Sequence, residues 1–355
     1  MSSFIIDSGN FTPQQRTPWA GKQIWETLKQ HLPGIVSQPD IGEAWEFSFD
    51  VAFPSRVKGT HQILSQALLP VAKSVLGQEE FERVGCFSEI LLKVIHAARP
   101  LSLQVHPEDN YQGLNESECG KPESWLVLDA KEGAGVYLGF SKEISKEQLR
   151  VLLEQGQSIE EFLNFVPVKK GDYFDIGPGV VHALGRDVLV LEPQRIRSGK
   201  SGKTYRLFDW GLRYNPKGLP DANGAPRELH VKEALDQFDP REQWGSSFVE
   251  SVKRCSVNTL LASGMDLAEY PKTADYQLFC LSSEGGRVQS VDRKTGYLIA
   301  YVTDGSLQVT ERSGSTFRLL RGEAILVGED SFPSKFHLNG NVCLLWSRGS
   351  SPIFL

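Results

Sequence analysis

The sequence has few cysteines and no long apolar run. Five cysteines are scattered through 355 residues. None forms a CxxC pair, and their odd number does not suggest a disulfide framework. No stretch reaches the roughly 18 consecutive apolar residues that a membrane span needs. The opening segment MSSFIIDSGNFTPQQ lacks the basic and apolar regions of a signal peptide. We therefore expect reduced thiols, no membrane span and a cytoplasmic location.

The sequence also lacks an excess of positive charge. It has 38 Lys and Arg against 44 Asp and Glu, a formal net charge of −6. This balance argues against nucleic acid or an anionic membrane as a general partner, but it permits a local basic pocket for a small anionic substrate. With 40% hydrophobic and 10% aromatic residues, the chain can form packed cores, and its length suits two domains.

Short apolar runs separated by glycine and proline turns make up much of the chain. They occur over residues 90–130 and 171–194, and again over 297–347. Many short strands with tight turns favour jelly-roll β-barrels over a parallel βαβ sheet. We therefore predict a mainly β protein of two jelly-roll barrels.

One segment departs from the strand pattern and divides the first barrel. Residues 141–165 are rich in Glu, Lys, Gln and Leu at helical spacing, so we predict a helical insertion there. A loop-rich stretch follows at 211–245 and suggests a domain boundary. The predicted division is a first domain of residues 1–240 and a second of residues 241–355.

Four polar residues of the first domain form a candidate metal site. Gln104 and His106 are two apart on one strand, so both point to the same face. Glu123 and His182 lie on other predicted strands, which a small barrel could direct at the same interior point. Isolated His and Glu residues at strand ends are commonly structural, but two imidazoles, a carboxylate and an amide together suit Zn²⁺ or Fe(II). The other histidines lack such surroundings and are interpreted as structural: His31, His61, His96, His230 and His337.

The segments around these residues strongly resemble mannose-6-phosphate isomerases of the shorter bacterial type, which belong to the cupin superfamily. The matching text is IGEAWEFS (41–48), ILLKVIHAARPLSLQVHPED (90–109), GKPESWLVLDA (120–130), GDYFDIGPGVVHALG (171–185) and TYRLFDWG (204–211). The second cupin motif matches from Gly171 to His182, except that Gly177 stands where proline is usual. The resemblance implies two cupin-like barrels, with the helical insertion in the first and no metal in the second.

The resemblance also implies a reaction and the residues that perform it. One Zn²⁺ per chain would be held by Gln104, His106, Glu123 and His182. Arg206 and Lys93 would be catalytic, and Trp19 and Lys121 would contact the substrate. The implied activity is the interconversion of mannose 6-phosphate and fructose 6-phosphate through a cis-enediol intermediate.

The loop before Arg206 departs from the family pattern. Residues 195–203 form a longer, basic stretch that could bind phosphate or be a solvated loop, and Gly202 occupies the position where an aspartate is expected. The proton-transfer group is therefore left open among Glu46, Asp209 and a zinc-bound water. An alternative function is a non-catalytic cupin that binds metal and a sugar or phosphosugar; an iron oxygenase is a further alternative.

Overall fold

The chain is mainly β, as predicted. A computed structural model describes residues 2–36, 38, 40–293, 295–348 and 352–355. The strands of the first half are β1 (Ser3–Ile5), β2 (Glu43–Phe47), β3 (Ile90–Ala97), β4 (Leu103–Val105), β5 (Glu118–Cys119), β6 (Glu123–Ala130), β7 (Gly135–Phe140), β8 (Leu163–Pro167), β9 (Tyr173–Ile176), β10 (His182–Leu184), β11 (Val188–Arg195), β12 (Ser201–Gly202) and β13 (Tyr205–Phe208). Those of the second half are β14 (Lys253–Arg254), β15 (Val257–Leu260), β16 (Asp266–Glu269), β17 (Tyr276–Arg293), β18 (Leu298–Thr310), β19 (Thr316–Leu320), β20 (Ala324–Val327), β21 (Ser334–Ser347) and β22 (Pro352–Phe354).

Two antiparallel sheets, formed by strands of the first half and by β14, face each other. One has the order β14-β9-β6-β11-β3-β2 and the other β13-β4-β10-β7-β8. Side-chain alternation along β11 sends Val188 and Val190 into the core between these sheets. Leu189 and Leu191 point the opposite way, into a second core. The six-stranded sheet is therefore buried on both faces.

The second half is built around a nine-stranded antiparallel sheet. Its long strands β17, β18 and β21 lie side by side, and one face of the sheet shares a core with the six-stranded sheet. Strand β1 pairs with β20 and so belongs to this sheet. The boundary near residue 240 and the division into two cupin-like barrels stay predictions.

The helices are short and lie outside the sheets. They are α1 (Leu64–Leu68), α2 (Ala72–Leu76), α3 (Gln78–Val84), α4 (Lys146–Glu154), α5 (Val231–Leu235) and α6 (Gly245–Val252). Helix α4 lies in the segment predicted as an insertion, and the side chains of Ser145 and Gln148 form a capping box at its start. Its buried Leu149 and Leu153 pack behind the five-stranded sheet. Among the described helices, none has the length and apolar character needed to cross a membrane.

A buried ion pair joins the two halves. Nζ of Lys29 lies 2.7 Å from Glu46 Oε1 and donates to the backbone oxygen of Gly322, while Tyr301 contacts the same carboxylate. Both charged side chains are almost fully buried. Burial raises the pKa of Glu46, although Lys29 opposes the shift. The two ions are therefore compensated mainly by each other.

We predict that Glu46→Gln destabilises the fold by about 3–5 kcal/mol, because it leaves the Lys29 ammonium group buried without an anion. Urea unfolding measures the change. Glu161→Gln is the matched control, because Glu161 pairs with Lys142 on the surface and should cost less than about 1 kcal/mol. Equal effects of the two substitutions would contradict the role given to the buried pair.

Candidate metal site and its cavity

The four predicted ligands come from both sheets of the first half. Gln104 and His182 are register partners on β4 and β10 of the five-stranded sheet. Glu123 begins β6 of the six-stranded sheet, where its register partner on β11 is Gln194. His106 follows β4, on the same face as Gln104. The ligands therefore meet in the space between the sheets.

His106, Glu123 and His182 form a compact, fully buried group. Nε2 of His106 lies 3.2 Å from Glu123 Oε2, and Nε2 of His182 lies 3.4 Å from Oε1. Ligand atoms around a tetrahedral Zn²⁺ at 2.0–2.1 Å are spaced by about 3.3 Å. The amide nitrogen of Gln104 is 3.3 Å from Nε2 of His182, so the fourth predicted ligand adjoins the group.

Backbone carbonyls fix the orientation of both imidazoles. Nδ1 of His106 lies 3.1 Å from the oxygen of Lys203, and Nδ1 of His182 lies 2.8 Å from that of Val180. Because a carbonyl only accepts, each Nδ1 must carry the hydrogen. Each Nε2 then offers a lone pair toward Glu123, which is the arrangement that metal-binding histidines adopt.

The protonation of the group also suits a cation. Burial, together with the charge of Lys121, lowers the pKa of His106 to about 3, so its imidazole is neutral at pH 7. Burial opposes ionisation of Glu123, but nearby positive charge, chiefly that of Lys121, outweighs it and lowers the pKa of that carboxyl. Nε2 of His106 and Oε1 of Glu123 are buried without a hydrogen-bond partner. Such unpaired buried atoms are costly, and a bound metal ion would satisfy both.

A cavity of about 420 Å³ adjoins this group. The predicted catalytic and substrate residues all line it, together with one predicted ligand: Trp19, Lys93, Gln104, Lys121 and Arg206. Lys121 Nζ is 3.3 Å from Glu123 Oε2, so the cavity reaches the ligand carboxylate. Residues separated by up to 187 positions in the chain thus share one chamber.

Lys93 belongs to a buried network of charges at the cavity wall. Its Nζ is 3.4 Å from Glu192 and 4.0 Å from Glu43, and it lies over the ring of Trp45. Burial alone lowers the pKa of Lys93, but the carboxylates of Glu43, Glu192 and Glu123 outweigh burial and raise it. Lys93 therefore stays charged inside the protein.

Glu192 is a cavity residue that sequence reasoning missed. Trp125 Nε1 and Gln194 Nε2 donate to its two carboxylate oxygens, at 3.0 and 2.7 Å. Gln194 also donates to Glu123, which links Glu192 to the metal group. Burial and the charge of Glu123 raise the pKa of Glu192 to about 8. The available signal was the alternation in VLVLEPQ, which puts Glu192 on the inward face with Val190.

Arg206 lies beside Gln104 across the β13–β4 pair. Its Nε donates to Ser102 Oγ at 3.3 Å, and its Nη1 donates to the backbone oxygen of Glu228 at 2.7 Å. Burial and the nearby charge of Arg227 lower the pKa of Arg206 from its usual high value. The guanidinium is thus held at the cavity without a carboxylate partner among the described residues.

The basic loop of residues 195–203 is an ordered part of the site wall. Arg195 and Arg197 both bind Asp109, and Lys203 binds Glu118. These cations are therefore paired outside the cavity, whereas the loop backbone at Lys203 supports His106.

The glycine in this loop has a steric explanation. Gly202 lines the cavity. A Cβ at this position would lie 2.4 Å from Ile196 Cδ1 and 2.9 Å from the stem of Lys121. An acidic side chain at this position would require the side chains of Ile196 and Lys121 to move.

The two carboxylates considered earlier for proton transfer are engaged elsewhere. Glu46 binds Lys29 at the junction of the two halves. Asp209 is buried and binds the guanidinium of Arg227 through both oxygens. Neither carboxylate lines the cavity.

Fold and site together define a mainly β protein with a buried His₂Glu group beside a cationic cavity. The chain is 36% identical over 240 residues to mannose-6-phosphate isomerase ManA of Bacillus subtilis, which is 66% of this chain and 62% of that relative's length. The match thus spans less than two thirds of the relative. The resemblance read from the sequence motifs is confirmed. No family model matches the chain.

Solved structures confirm the fold over nearly the whole chain. The crystal structure of mannose 6-phosphate isomerase from Bacillus subtilis superposes with a TM-score of 0.76 at 23% identity, covering 97% of this chain and 99% of that one. A zinc-bound mannose 6-phosphate isomerase superposes with a TM-score of 0.70 at 15% identity, covering 98% and 100%. At these identities the likeness establishes the fold.

We predict that His106→Ala and His182→Ala each weaken zinc binding by at least about 100-fold, because each removes a direct ligand. Metal analysis after equilibration with a zinc buffer measures the change. His337→Ala is the control, because that ring is exposed and bonds the backbone of Gly286. Arg206→Ala should keep the metal. Undiminished zinc binding by a folded His106 variant would contradict the ligand assignment.

Proposed function

We propose that the protein is a zinc-dependent aldose–ketose isomerase that interconverts mannose 6-phosphate and fructose 6-phosphate. The observation that carries the proposal is the His106–Glu123–His182 group beside a cavity with its own buried carboxyl, Glu192, and several cations. The sequence similarity to mannose-6-phosphate isomerases supports this choice of substrate.

One zinc ion per chain would be held by Gln104, His106, Glu123 and His182. When bound, zinc supplies a Lewis acid that polarises sugar oxygens. Gln104 would turn its amide oxygen to the ion, which costs only rotation about the last side-chain bond. The backbone contacts of the two histidines keep their Nε2 atoms ready for binding.

Glu192 is our candidate for the proton-transfer group. Isomerisation removes a proton from C2 of mannose 6-phosphate and returns one to C1, through a cis-enediol. A general base works best when its pKa is near the working pH, and burial raises the pKa of Glu192 toward that range. Its oxygens are oriented by Trp125 and Gln194. Gly202 therefore does not deprive the cavity of a carboxyl group.

The cations of the cavity would stabilise the charge that develops on the sugar oxygens. Lys93 and Lys121 stand beside the carboxyl groups of Glu192 and Glu123, and Arg206 stands beside Gln104. Removing a single fixed donor from such a site typically raises the barrier by about 3–4 kcal/mol. We expect Arg206 and Lys93 to act in this way.

The partner implied by this chemistry is a small phosphosugar, in keeping with the acidic net charge. We retain the cytoplasm as the expected location and expect no metal in residues 241–355. The non-catalytic alternative was suggested by the missing acid at Gly202. Glu192 makes turnover the stronger expectation.

We predict that zinc-loaded protein converts mannose 6-phosphate to fructose 6-phosphate in a coupled assay. Glu192→Gln should lower kcat by about 100-fold or more while retaining zinc, because it removes the proton acceptor but keeps the side-chain shape. Glu161→Gln, an exposed site, is the control. Wild-type kcat in the Glu192 variant would refute its role. No turnover by the folded, zinc-loaded wild type would refute the proposed activity.

A further inference from the structure

One end of the cavity brings two guanidinium groups together. Arg206 and Arg227 both line it, and Arg206 donates to the backbone oxygen of Glu228, the residue next to Arg227. The amide of Arg206 also bonds Nδ1 of His230. Strand β13 and the segment 227–230 are thus tied to each other, so the two side chains keep their relative positions.

Arg227 is held on three sides. Asp209 is 5% exposed. Its carboxylate accepts a hydrogen bond from Arg227 Nε at 2.8 Å and also contacts Arg227 Nη2. The guanidinium carbon lies 5.7 Å from the ring centre of Trp19 and 5.1 Å from that of Tyr214. The two contacts with Asp209 and the two rings fix the plane of the Arg227 guanidinium. Its Nη1 has no hydrogen-bond partner among the described residues.

Among the described residues, only one carboxylate is bonded to either of the two guanidinium groups at this end. Asp209 compensates Arg227, and no described carboxylate pairs with Arg206. Two like charges close together are unfavourable unless an anion joins them.

An oxyanion with several acceptors suits two guanidinium groups at one end of a cavity. A phosphate ester offers three oxygens and a charge near −2, and planar guanidinium groups bind it through paired hydrogen bonds. Ser102 Oγ, which already contacts Arg206, adds a hydroxyl at the same place.

We propose that Arg227, oriented by Asp209 and by the rings of Trp19 and Tyr214, forms a clamp for the phosphate group of the sugar beside Arg206. This inference rests on the proposed function for the identity of the sugar, but not for the binding of phosphate. Arg227 contacts the ligand and Asp209 is a positioning residue. The clamp selects phosphorylated over neutral sugars.

The direct test is calorimetry with inorganic phosphate and zinc-loaded protein. Arg227→Gln should weaken phosphate binding by about 10-fold or more, the value of one charge-assisted contact. Asp209→Asn should weaken it about 3-fold or more, because Arg227 loses its fixed plane. Arg227→Lys keeps the charge but loses the paired N–H groups of the guanidinium. Its affinity for phosphate should lie between those of wild type and Arg227→Gln. Arg186→Gln is the control, because that side chain is 73% exposed and lies outside this cavity.

Kinetics separate a clamp from a merely structural role. With mannose 6-phosphate, the Arg227 and Asp209 variants should have a lower kcat/KM, mainly because KM rises. With unphosphorylated mannose, kcat/KM should change much less. Unaltered phosphate binding by folded Arg227→Gln and Arg227→Lys would overturn the clamp. If phosphate binding falls as expected and the wild type shows no turnover, the clamp stands and the proposed isomerase activity fails.

Discussion

The buried carboxylate of Glu123 is the constraint on which the site depends. It lies between the imidazoles of His106 and His182, with one oxygen unpaired and Lys121 nearby. A charge in that position needs a cation, and the geometry of the imidazole nitrogens favours a metal ion. The two sheets must face each other for this to occur, because Glu123 and the histidines come from different sheets. The core between the sheets therefore also assembles the metal site.

Glu123 and Glu192 have different surroundings, which shift their pKa values in opposite directions. The charge of Lys121 favours the ionised form of Glu123. Gln194 donates hydrogen bonds to both Glu123 and Glu192. Burial and the charge of Glu123 raise the pKa of Glu192 and so favour its neutral form. Two carboxyl groups with opposed shifts are the arrangement in which one can bind a cation while the other exchanges protons. In the proposed mechanism, Glu123 binds the metal ion and Glu192 transfers the proton.

The sequence was most informative where one strand carried the whole signal. The spacing of Gln104 and His106 was sufficient to put both on one face, and the turn-rich pattern was sufficient for a mainly β fold. The pairing of β1 with β20 could not be predicted from the sequence, because it joins residues more than 300 positions apart. Glu192 was missed because alternation shows that a residue shares a face with its neighbours but not that the face lines a cavity. The ion pairs of the basic loop depend on Asp109 and Glu118, which only the folded chain brings near.

The central claim is that turnover depends on one zinc ion at the His106–Glu123–His182 group. The most direct measurement is titration of metal-free protein with Zn²⁺ while the rate of fructose 6-phosphate formation is followed. Activity should be absent without metal, rise in proportion to added zinc and reach its plateau at one equivalent per chain. Full activity in the metal-free protein, or none after one equivalent has bound, would contradict this claim.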